Sequence, residues 1–444
     1  MGLTPAAART LCDRILSRVA ADSATVQVAD AGDQHLRFAN NDITSSGLTD
    51  QIEVTLTVGY GRRSATAATT ATSEPALVGL VEQAQALAKL APEDPEHMPP
   101  VEPTRFAESI AWSDRTANAA PEDAVGWIRP VIEQARAAGV DAAGYLHRSV
   151  GGLALANSSG LFVQQRATAV GFSLTARTTD GRGSGWASTQ ITDVSALDLA
   201  AVGGQAIAKA LASRNPVARA PGRTTVVLEA AAVRDLVGWL LWRLDRRSFD
   251  EGRSFLNGLV EQGRDPLGAA LFGGNVTLLS DPLDPAAPCA THADGLPLTR
   301  TPWIERGVLT TLAVGRYWAE KQGIPPQPTP GNLLMPGEGK SLDELVGLVD
   351  DGILITRIWY LRELEPEALL VTGLTRDGTF AIKQGRLAGP VQNFRFNESP
   401  VNILRRIVAS GIPSRVLGSE SDFPAHVPPL VVADFNLSSV SDAS

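Results

Sequence analysis

Cysteine and histidine are scarce in this sequence of 444 residues. Its two cysteines, Cys12 and Cys289, can form one bridge at most, so a disulfide framework is excluded and a reducing cytoplasm is the expected compartment. The five histidines are dispersed, and none begins an HExxH or HExxxH motif. A catalytic zinc ion needs about three protein ligands gathered at one place. The chain is therefore predicted to hold no metal and no cofactor of its own.

Long hydrophobic runs and an excess of positive charge are also missing. Apolar stretches such as Leu236–Trp242 are far shorter than the ~18 residues of a membrane-spanning helix. Acidic residues outnumber lysine and arginine by 48 to 39, whereas a nucleic-acid site needs clustered basic side chains. Asp13 and three arginines interrupt the apolar pattern of the first 23 residues, so a signal peptide is not expected. We therefore predict no membrane and no nucleic-acid partner.

The amino half contains clear helical and strand patterns. Residues 5–21 place leucine, isoleucine and valine on one helical face, and Gln51–Val58 alternates strictly between polar and apolar residues, which predicts a half-buried strand. Shorter strands are predicted at Thr25–Val28 and His35–Phe38. Asn157–Gly160 predicts a turn between two further strands.

The pattern changes after Arg214–Gly222, a segment rich in proline and arginine. Short strands with many glycines and prolines follow, with few helices, one of them near Ala230–Leu244. The expected class is α+β. Residues 1–220 are predicted to form an amino-terminal α+β domain with an antiparallel sheet, and residues 221–444 a carboxyl-terminal, β-rich, barrel-like domain.

Cys289, His292 and Asp294 form the one short cluster of reactive residue types. They could supply a thiolate–imidazole pair or half of a metal site. Alternatively, Cys289 is a small buried residue in a loop beside a surface histidine. Proximity in sequence does not establish the geometry of a nucleophile, so both interpretations stay open.

Two segments near the carboxyl terminus suggest a binding surface. Leu370–Leu387 predicts strands around glycine turns, and Asn393–Pro400 alternates polar and aromatic residues before a helix start. The polar side chains could simply satisfy strand ends. They could instead form a wall that binds an extended peptide by strand addition.

Several segments between residues 60 and 397 occur in the order found in a known family. Together they resemble the TldD/PmbA family, also called TldD/TldE. The matching segments are Tyr60–Ala67, Ala156–Gly160, Arg253–Phe255, Asp294–Pro297, Trp303–Leu309, Thr372–Gly373, Gly385 and Asn393–Asn397.

The resemblance implies a specific division of labour. In that family TldD is a zinc metallopeptidase whose HExxxH helix and a late cysteine hold the metal. TldE, or PmbA, has a similar fold without the ligands and pairs with TldD around a chamber that processes unfolded peptides. The resemblance places Gly238, Trp239 and Arg243 about where the two histidines and the glutamate would stand. With no cysteine in Ser410–Phe423 either, this chain resembles TldE, without catalytic or metal-binding residues.

The resemblance also suggests candidate site residues. Trp239 and Trp242 either pack in the core or contribute to the chamber wall or a subunit interface. Each residue of the proposed peptide-facing wall could equally be a structural turn residue. The candidates for this wall are Thr372, Gly373, Arg376, Asn393, Arg395 and Asn397, together with Asp294 and Arg300 from a matched loop and strand.

Three functions follow from these observations. The first is a cytoplasmic, non-metal-binding subunit of a TldD/TldE-type peptidase, in which a TldD-like partner carries the zinc and hydrolyses unfolded or small peptides. The second is a stand-alone homodimer that binds peptides without cutting them. The third is a hydrolase with relocated chemistry at Cys289 and His292. The family's older label, modulator of DNA gyrase, implies a nucleic-acid link that the acidic composition does not support.

Overall fold

The computed structural model describes residues 3–419 and 423–441 as a mixed α and β fold. Among these residues no helix has the length and apolar character needed to cross a bilayer. The α-helices are α1 (Pro5–Leu16), α2 (Glu74–Leu90), α3 (Asp114–Asn118), α4 (Asp123–Ala137), α5 (Leu199–Ala212), α6 (Ala230–Leu241), α7 (Arg246–Asp250), α8 (Arg316–Gln322), α9 (Leu342–Gly347) and α10 (Pro400–Arg405).

The strands of the amino half are long and those of the carboxyl half are short. In the amino half they are β1 (Ser23–Ala39), β2 (Asp42–Tyr60), β3 (Arg63–Thr69), β4 (Val140–Asn157), β5 (Phe162–Thr178) and β6 (Ser184–Ile191). In the carboxyl half they are β7 (Gly222–Leu228), β8 (Leu278–Ser280), β9 (His292–Ala293), β10 (Leu296–Pro297), β11 (Thr301–Glu305), β12 (Val308–Leu309), β13 (Leu333–Leu334), β14 (Asp351–Ile355), β15 (Ile358–Glu365), β16 (Leu370–Thr375), β17 (Thr379–Lys383), β18 (Arg386–Pro390), β19 (Asn393–Glu398), β20 (Ile407–Ser410), β21 (Ser414–Arg415), β22 (Ala425–Val427) and β23 (Leu430–Ser441).

The amino half is built on one antiparallel sheet of six strands, in the order β3-β2-β1-β4-β5-β6. The even-numbered residues of β1, Gly32 excepted, are buried from Ala24 to Phe38, so a single face of this sheet supports the core. Helices α1 and α2 cover one end of that face, and α4 and α5 cover the other end. The predicted antiparallel sheet is therefore confirmed.

Strand β1 is one continuous strand, although the sequence indicated two separate ones. The buried polar residues Asp30 and Gln34 interrupted the apolar pattern, which made the prediction wrong there. Both find partners outside the sheet, because the Gln34 amide donates to the Pro121 carbonyl at 2.6 Å and Asp30 accepts from the Leu3 N–H. Such partners make a buried polar residue tolerable within a strand.

Among the described residues, the carboxyl half contains two larger open sheets and the two-stranded pair β9-β10. The larger follows the order β15-β16-β19-β23-β7-β14-β17-β18, with β20 added against β23, and the smaller the order β12-β11-β8-β13-β22-β21. These sheets do not close into a barrel, so the barrel-like part of the prediction differs from the structure. Helix α6 lies in the largest core cluster together with residues from both sheets, and this packing buries their apolar faces without closure.

The acidic connector that follows α2, residues 91–100, contains Glu96, which forms an ion pair with Arg247. The Arg247 guanidinium donates two bonds of 2.7 Å to the Glu96 carboxylate, and these bonds lower the pKa of Glu96. A carboxyl group with a lowered folded-state pKa stabilises the fold above its unfolded pKa and loses that effect as the pH falls.

We therefore expect Glu96→Gln to lower the melting temperature near neutral pH, where the ion pair is fully formed. The difference from the wild type should shrink as the pH falls below about 4.5 and through the lowered pKa of Glu96. Thermal unfolding from pH 7 to pH 3 measures this effect. The control is Glu93→Gln, which replaces an exposed residue of the same connector whose carboxylate lies 3.9 Å from Arg63. A constant difference across that range would contradict the assignment.

Candidate functional site

Helix α6 lies at the centre of the carboxyl half, directly after strand β7. Its residues are buried from end to end except for Trp239, which is only partly buried. Glu229 precedes the helix at its N-cap position but makes no capping bond with its side chain. The predicted apolar, Trp-bearing helix is thus confirmed, with its last helical residue at Leu241.

Of the three positions suggested by the resemblance, two lie in the second half of α6 and the third follows the helix. Gly238 is buried, and a Cβ there would lie 3.2 Å from the ring of Phe423. Trp239 packs against the main core, while its indole Nε1 is buried without a hydrogen-bond partner among the described residues. Arg243 follows the helix and pairs with Glu363. Their correspondence to zinc ligands stays a prediction.

Trp242 differs from Trp239 in its exposure. It is 44% exposed, and its ring meets that of Phe423 edge-on with the centroids 5.7 Å apart. Trp239 therefore fits the core-packing alternative, whereas Trp242 leaves apolar surface open at the carboxyl end of α6.

A buried ion pair in α6 was missed by the sequence analysis. The Arg234 side chain is 0% exposed and that of Asp235 2%, with Nη1 and Oδ1 3.3 Å apart. Burial raises the pKa of Asp235. The Ser419 N–H, which donates to Oδ2 at 2.8 Å, and the charge of Arg234 oppose this increase. The adjacent charges inside an otherwise apolar segment were the available signal, since buried charges are rare unless paired.

This pair is tied to a second buried ion pair through Ser419. The Arg357 Nε donates to the Ser419 hydroxyl at 3.0 Å, and the Arg357 Nη1 donates to Asp377 at 2.7 Å. Ser184, in the amino half, donates from its hydroxyl to Asp377 at 2.5 Å. The network therefore connects the central helix with both halves of the chain. Burial lowers the pKa of Arg357, and the Asp377 charge opposes this shift.

Two cavities adjoin the ends of α6. At the amino end, a cavity of about 360 Å³ is lined by Lys209 and Glu229, whose charged atoms lie 2.6 Å apart. At the carboxyl end, a cavity of about 270 Å³ is lined by Trp242, Arg243 and Glu363. The amino-end cavity is bounded by residues of both halves, and its volume is in the range of pockets that bind small molecules.

The structure brings together part of the predicted peptide-facing wall. Thr372 lies opposite Asn397 and Gly373 opposite Phe396, because β16 and β19 are antiparallel neighbours. The Arg395 Nη1 donates to the Thr372 hydroxyl at 3.3 Å. Both strands are paired on both sides within the larger sheet, so neither offers a free edge there. The role of these residues in binding a peptide stays a prediction.

Arg376 and Asn393 lie at the end of this wall nearest the buried network. The Arg376 Nε is 3.7 Å from the Asp377 carboxylate, and its guanidinium lies over the Trp359 ring. Asn393 accepts from the Thr379 hydroxyl at 2.8 Å and lines a cavity of about 230 Å³ with Asp377. These two residues have structural partners in the described chain.

Asp294 and Arg300 lie outside this wall. Asp294 has a φ of 49° in the turn between β9 and β10, and it lines a different cavity. Arg300 is exposed and lies 3.6 Å from the Asp281 carboxylate. The eight candidates therefore do not form one surface.

Cys289 and His292 do not form a nucleophile–base pair. Burial raises the pKa of the Cys289 thiol to about 12, and its Sγ donates to the Ala290 carbonyl at 3.5 Å. His292 is 3% exposed, and neither ring nitrogen has a hydrogen-bond partner in residues 3–419 and 423–441. The thiol is thus buried, as one alternative held, but the histidine beside it is buried and not on the surface.

We expect both cysteines to resist alkylation in the native protein. Burial also raises the pKa of Cys12 to about 12, so little reactive thiolate is present at pH 8. Mass spectrometry after iodoacetamide treatment should show modification at least about a hundredfold slower than in urea. Rapid modification of Cys289 alone, or loss of a peptidase activity in Cys289→Ala, would instead support relocated chemistry.

Family models match two segments of this chain. A family model described as the PmbA/TldA metallopeptidase C-terminal domain matches residues 221–439, and one described as the central domain matches residues 99–214. No curated protein matches the chain.

Solved structures share the fold at low sequence identity. TldE from Thermococcus kodakarensis has a TM-score of 0.85 at 17% identity, covering 96% of this chain and 99% of its own. A protein of Thermotoga maritima MSB8, named for a proposed role as modulator of a DNA gyrase, has a TM-score of 0.84 at 18% identity over 96% and 99%. A similarly named protein of Bacteroides thetaiotaomicron VPI-5482 has a TM-score of 0.82 at 18% identity over 97% of both chains.

Proposed function

Because the chain belongs to the PmbA/TldD metallopeptidase family, we propose that it is the non-metal-binding subunit of a TldD/TldE-type peptidase complex. In this proposal a TldD-like partner carries the zinc and hydrolyses unfolded or small peptides. This chain contributes structure and peptide-contacting surface. The similarity to TldE from Thermococcus kodakarensis in fold is consistent with this role.

The chemistry of α6 carries the proposal. Glu229, just before α6, and Asp235, within it, are each paired with a cation of the same chain, Lys209 and Arg234 respectively. In the described part of the chain, no three His, Cys, Asp or Glu side chains are grouped so that they could hold a metal. These described residues do not fit a zinc ion, which prefers imidazole, thiolate or free carboxylate ligands.

Purification with and without a zinc-bearing TldD-type paralogue tests the proposal. Elemental analysis should find less than stoichiometric zinc in the chain alone, which should not cleave an unstructured peptide. Native mass spectrometry of the mixture should reveal a heteromer, and the mixture should cleave the peptide in a chelator-sensitive way.

Two results would contradict the proposal. The first is stoichiometric zinc together with chelator-sensitive cleavage by the chain alone. The second is persistent self-association without heteromer formation, which would favour the stand-alone homodimer that binds peptides without cutting them.

A further inference from the structure

A cavity of about 200 Å³ lies where residues of the amino half meet residues of the carboxyl half. Strands β1 to β4 and the end of the acidic connector, residues 97–100, line it from the amino half. Asp294 and Arg316 line it from the carboxyl half. We call this space the connector cavity. Among its described lining residues, Asp294 and Arg316 are the only two that carry a full charge at neutral pH.

Asp294 is placed at the connector cavity by a tight turn. Ala293 pairs with Leu296 across Asp294 and Gly295, whose φ values are 49° and 81°, as a type I′ hairpin turn requires. A Cβ at Gly295 would lie 2.9 Å from the Leu161 side chain, so the turn packs closely against the amino half. In residues 3–419 and 423–441, the Asp294 carboxylate accepts no hydrogen bond and forms no ion pair.

His292, two residues before Asp294, does not neutralise this carboxylate. Burial lowers the pKa of His292, and the charge of Asp294 opposes this shift. Because the ordinary pKa of histidine is already about 6.5, the ring is neutral at pH 7. The negative charge of Asp294 therefore stays without a cation beside it in the described chain.

Arg316 has the opposite charge and one neutral partner. Its Nη2 donates to the Pro99 carbonyl at 2.7 Å, which holds the guanidinium against the connector. It forms no ion pair with a described carboxylate. Burial lowers the pKa of Arg316, and the charge of Glu320 opposes this shift. A guanidinium has five N–H donors, so donors remain for an anionic group in the cavity.

The size and the lining of the connector cavity indicate which molecules fit it. Its volume is below the ~300–1,000 Å³ of pockets for drug-sized ligands, so it suits a smaller molecule. Ser23, Thr25, Thr57 and Ser64 add hydroxyl groups that can donate or accept hydrogen bonds. Two opposite charges that do not pair with each other match a molecule that carries both a cation and an anion.

We propose that the connector cavity binds a small zwitterion, an amino acid or a dipeptide. Arg316 binds the carboxylate of this molecule, and Asp294 binds its ammonium group. The inference rests on the proposed function in the source of the ligand, because amino acids and short peptides are products of peptide hydrolysis. Binding itself depends only on residues of this chain.

The test uses isothermal titration calorimetry with the purified full-length chain. L-alanine and L-alanyl-L-alanine are the two probes, and the tighter of them identifies the free amino acid or the dipeptide as the ligand. N-acetylation of that probe removes its ammonium group, and amidation removes its carboxylate. Each modification should weaken binding to the wild-type chain by about tenfold or more, because one charge-assisted hydrogen bond is lost.

Two variants assign the charges to their residues. Asp294→Asn keeps a residue that tolerates the positive φ of the turn, and Arg316→Gln keeps a donor. Each should weaken binding of the unmodified probe by about tenfold or more. In addition, Asp294→Asn should no longer distinguish the N-acetylated probe, and Arg316→Gln should no longer distinguish the amidated probe. Lys321→Gln, which removes a cation from α8 outside the cavity lining, is the matched control and should stay within about twofold of the wild type.

Equal binding of the unmodified, N-acetylated and amidated probes would overturn the inference. So would the absence of saturable binding of both probes to the wild-type chain, a result that does not depend on the folding of any variant. Zinc content and heteromer formation with the zinc-bearing paralogue are measured separately, so either proposal can fail while the other stands.

Discussion

Replacing Arg234 by methionine is expected to lower the free energy of unfolding by about 3–5 kcal/mol, because it leaves the Asp235 carboxylate buried without its cation. Asp235 would keep the Ser419 N–H as a donor and the charge of Arg357, which do not replace its adjacent cation. Urea denaturation followed by circular dichroism measures the change. A loss of this size is a large share of the ~5–15 kcal/mol that stabilises a typical domain.

Two further variants establish the cause. Arg234→Met combined with Asp235→Leu should recover at least half of the loss, because it removes both charges from the core. Arg243→Gln breaks an ion pair just beyond the same helix, where the arginine side chain is 46% exposed, and should cost at most about 1 kcal/mol. If Arg234→Met and Arg243→Gln had equal effects, burial would not be the reason for the stabilisation.

Replacing Asp377 by alanine is expected to cost about 3 kcal/mol or more, because Arg357 would lose its carboxylate in a largely buried place. Asp377 also accepts from the Ser184 hydroxyl, so the contact between the two halves should weaken. Urea denaturation gives the loss of stability. Hydrogen exchange should show faster exchange in β6 and β16, the strands beside this contact.

The backbone conformation of Asp377 calls for a matched variant. Its φ is 56°, a conformation that asparagine tolerates better than alanine, so Asp377→Asn separates the lost charge from backbone strain. We expect Asp377→Asn to lie between the wild type and Asp377→Ala. Ser184→Ala, which removes one hydrogen bond, should cost about 1 kcal/mol. Equal costs for Ser184→Ala and Asp377→Ala would show that the charge of Asp377 is unimportant.

Periodicity predicted many of the helices and strands because it reports one buried face directly. The alternation in Gln51–Val58 marked part of β2, and the apolar segment after Glu229 marked α6. The same reasoning failed where a buried polar side chain had a distant partner, as with Gln34 and the Pro121 carbonyl. Such a partner lies far along the chain and leaves no local signal.

The candidate site was predicted less well than the elements that carry it. Thr372 and Arg395 lie within hydrogen-bond distance of each other, whereas Asp294 and Arg300 lie elsewhere. Strand residues can be recognised locally, whereas the neighbours of a strand depend on pairing across long stretches of chain. For that reason the sequence indicated a peptide-binding edge at β16 and β19, which the strand order places inside a sheet.

The sequence by itself determined that α6 offers no histidine or cysteine to a zinc ion, because the whole chain has only five histidines and two cysteines. The order of the segments that resemble the family is likewise a property of the sequence alone. Only the tertiary structure decided that Arg234 and Asp235 are buried together and that Asp377 joins the two halves. Burial and strand order result from contacts between residues far apart in the chain, and local patterns do not encode these contacts.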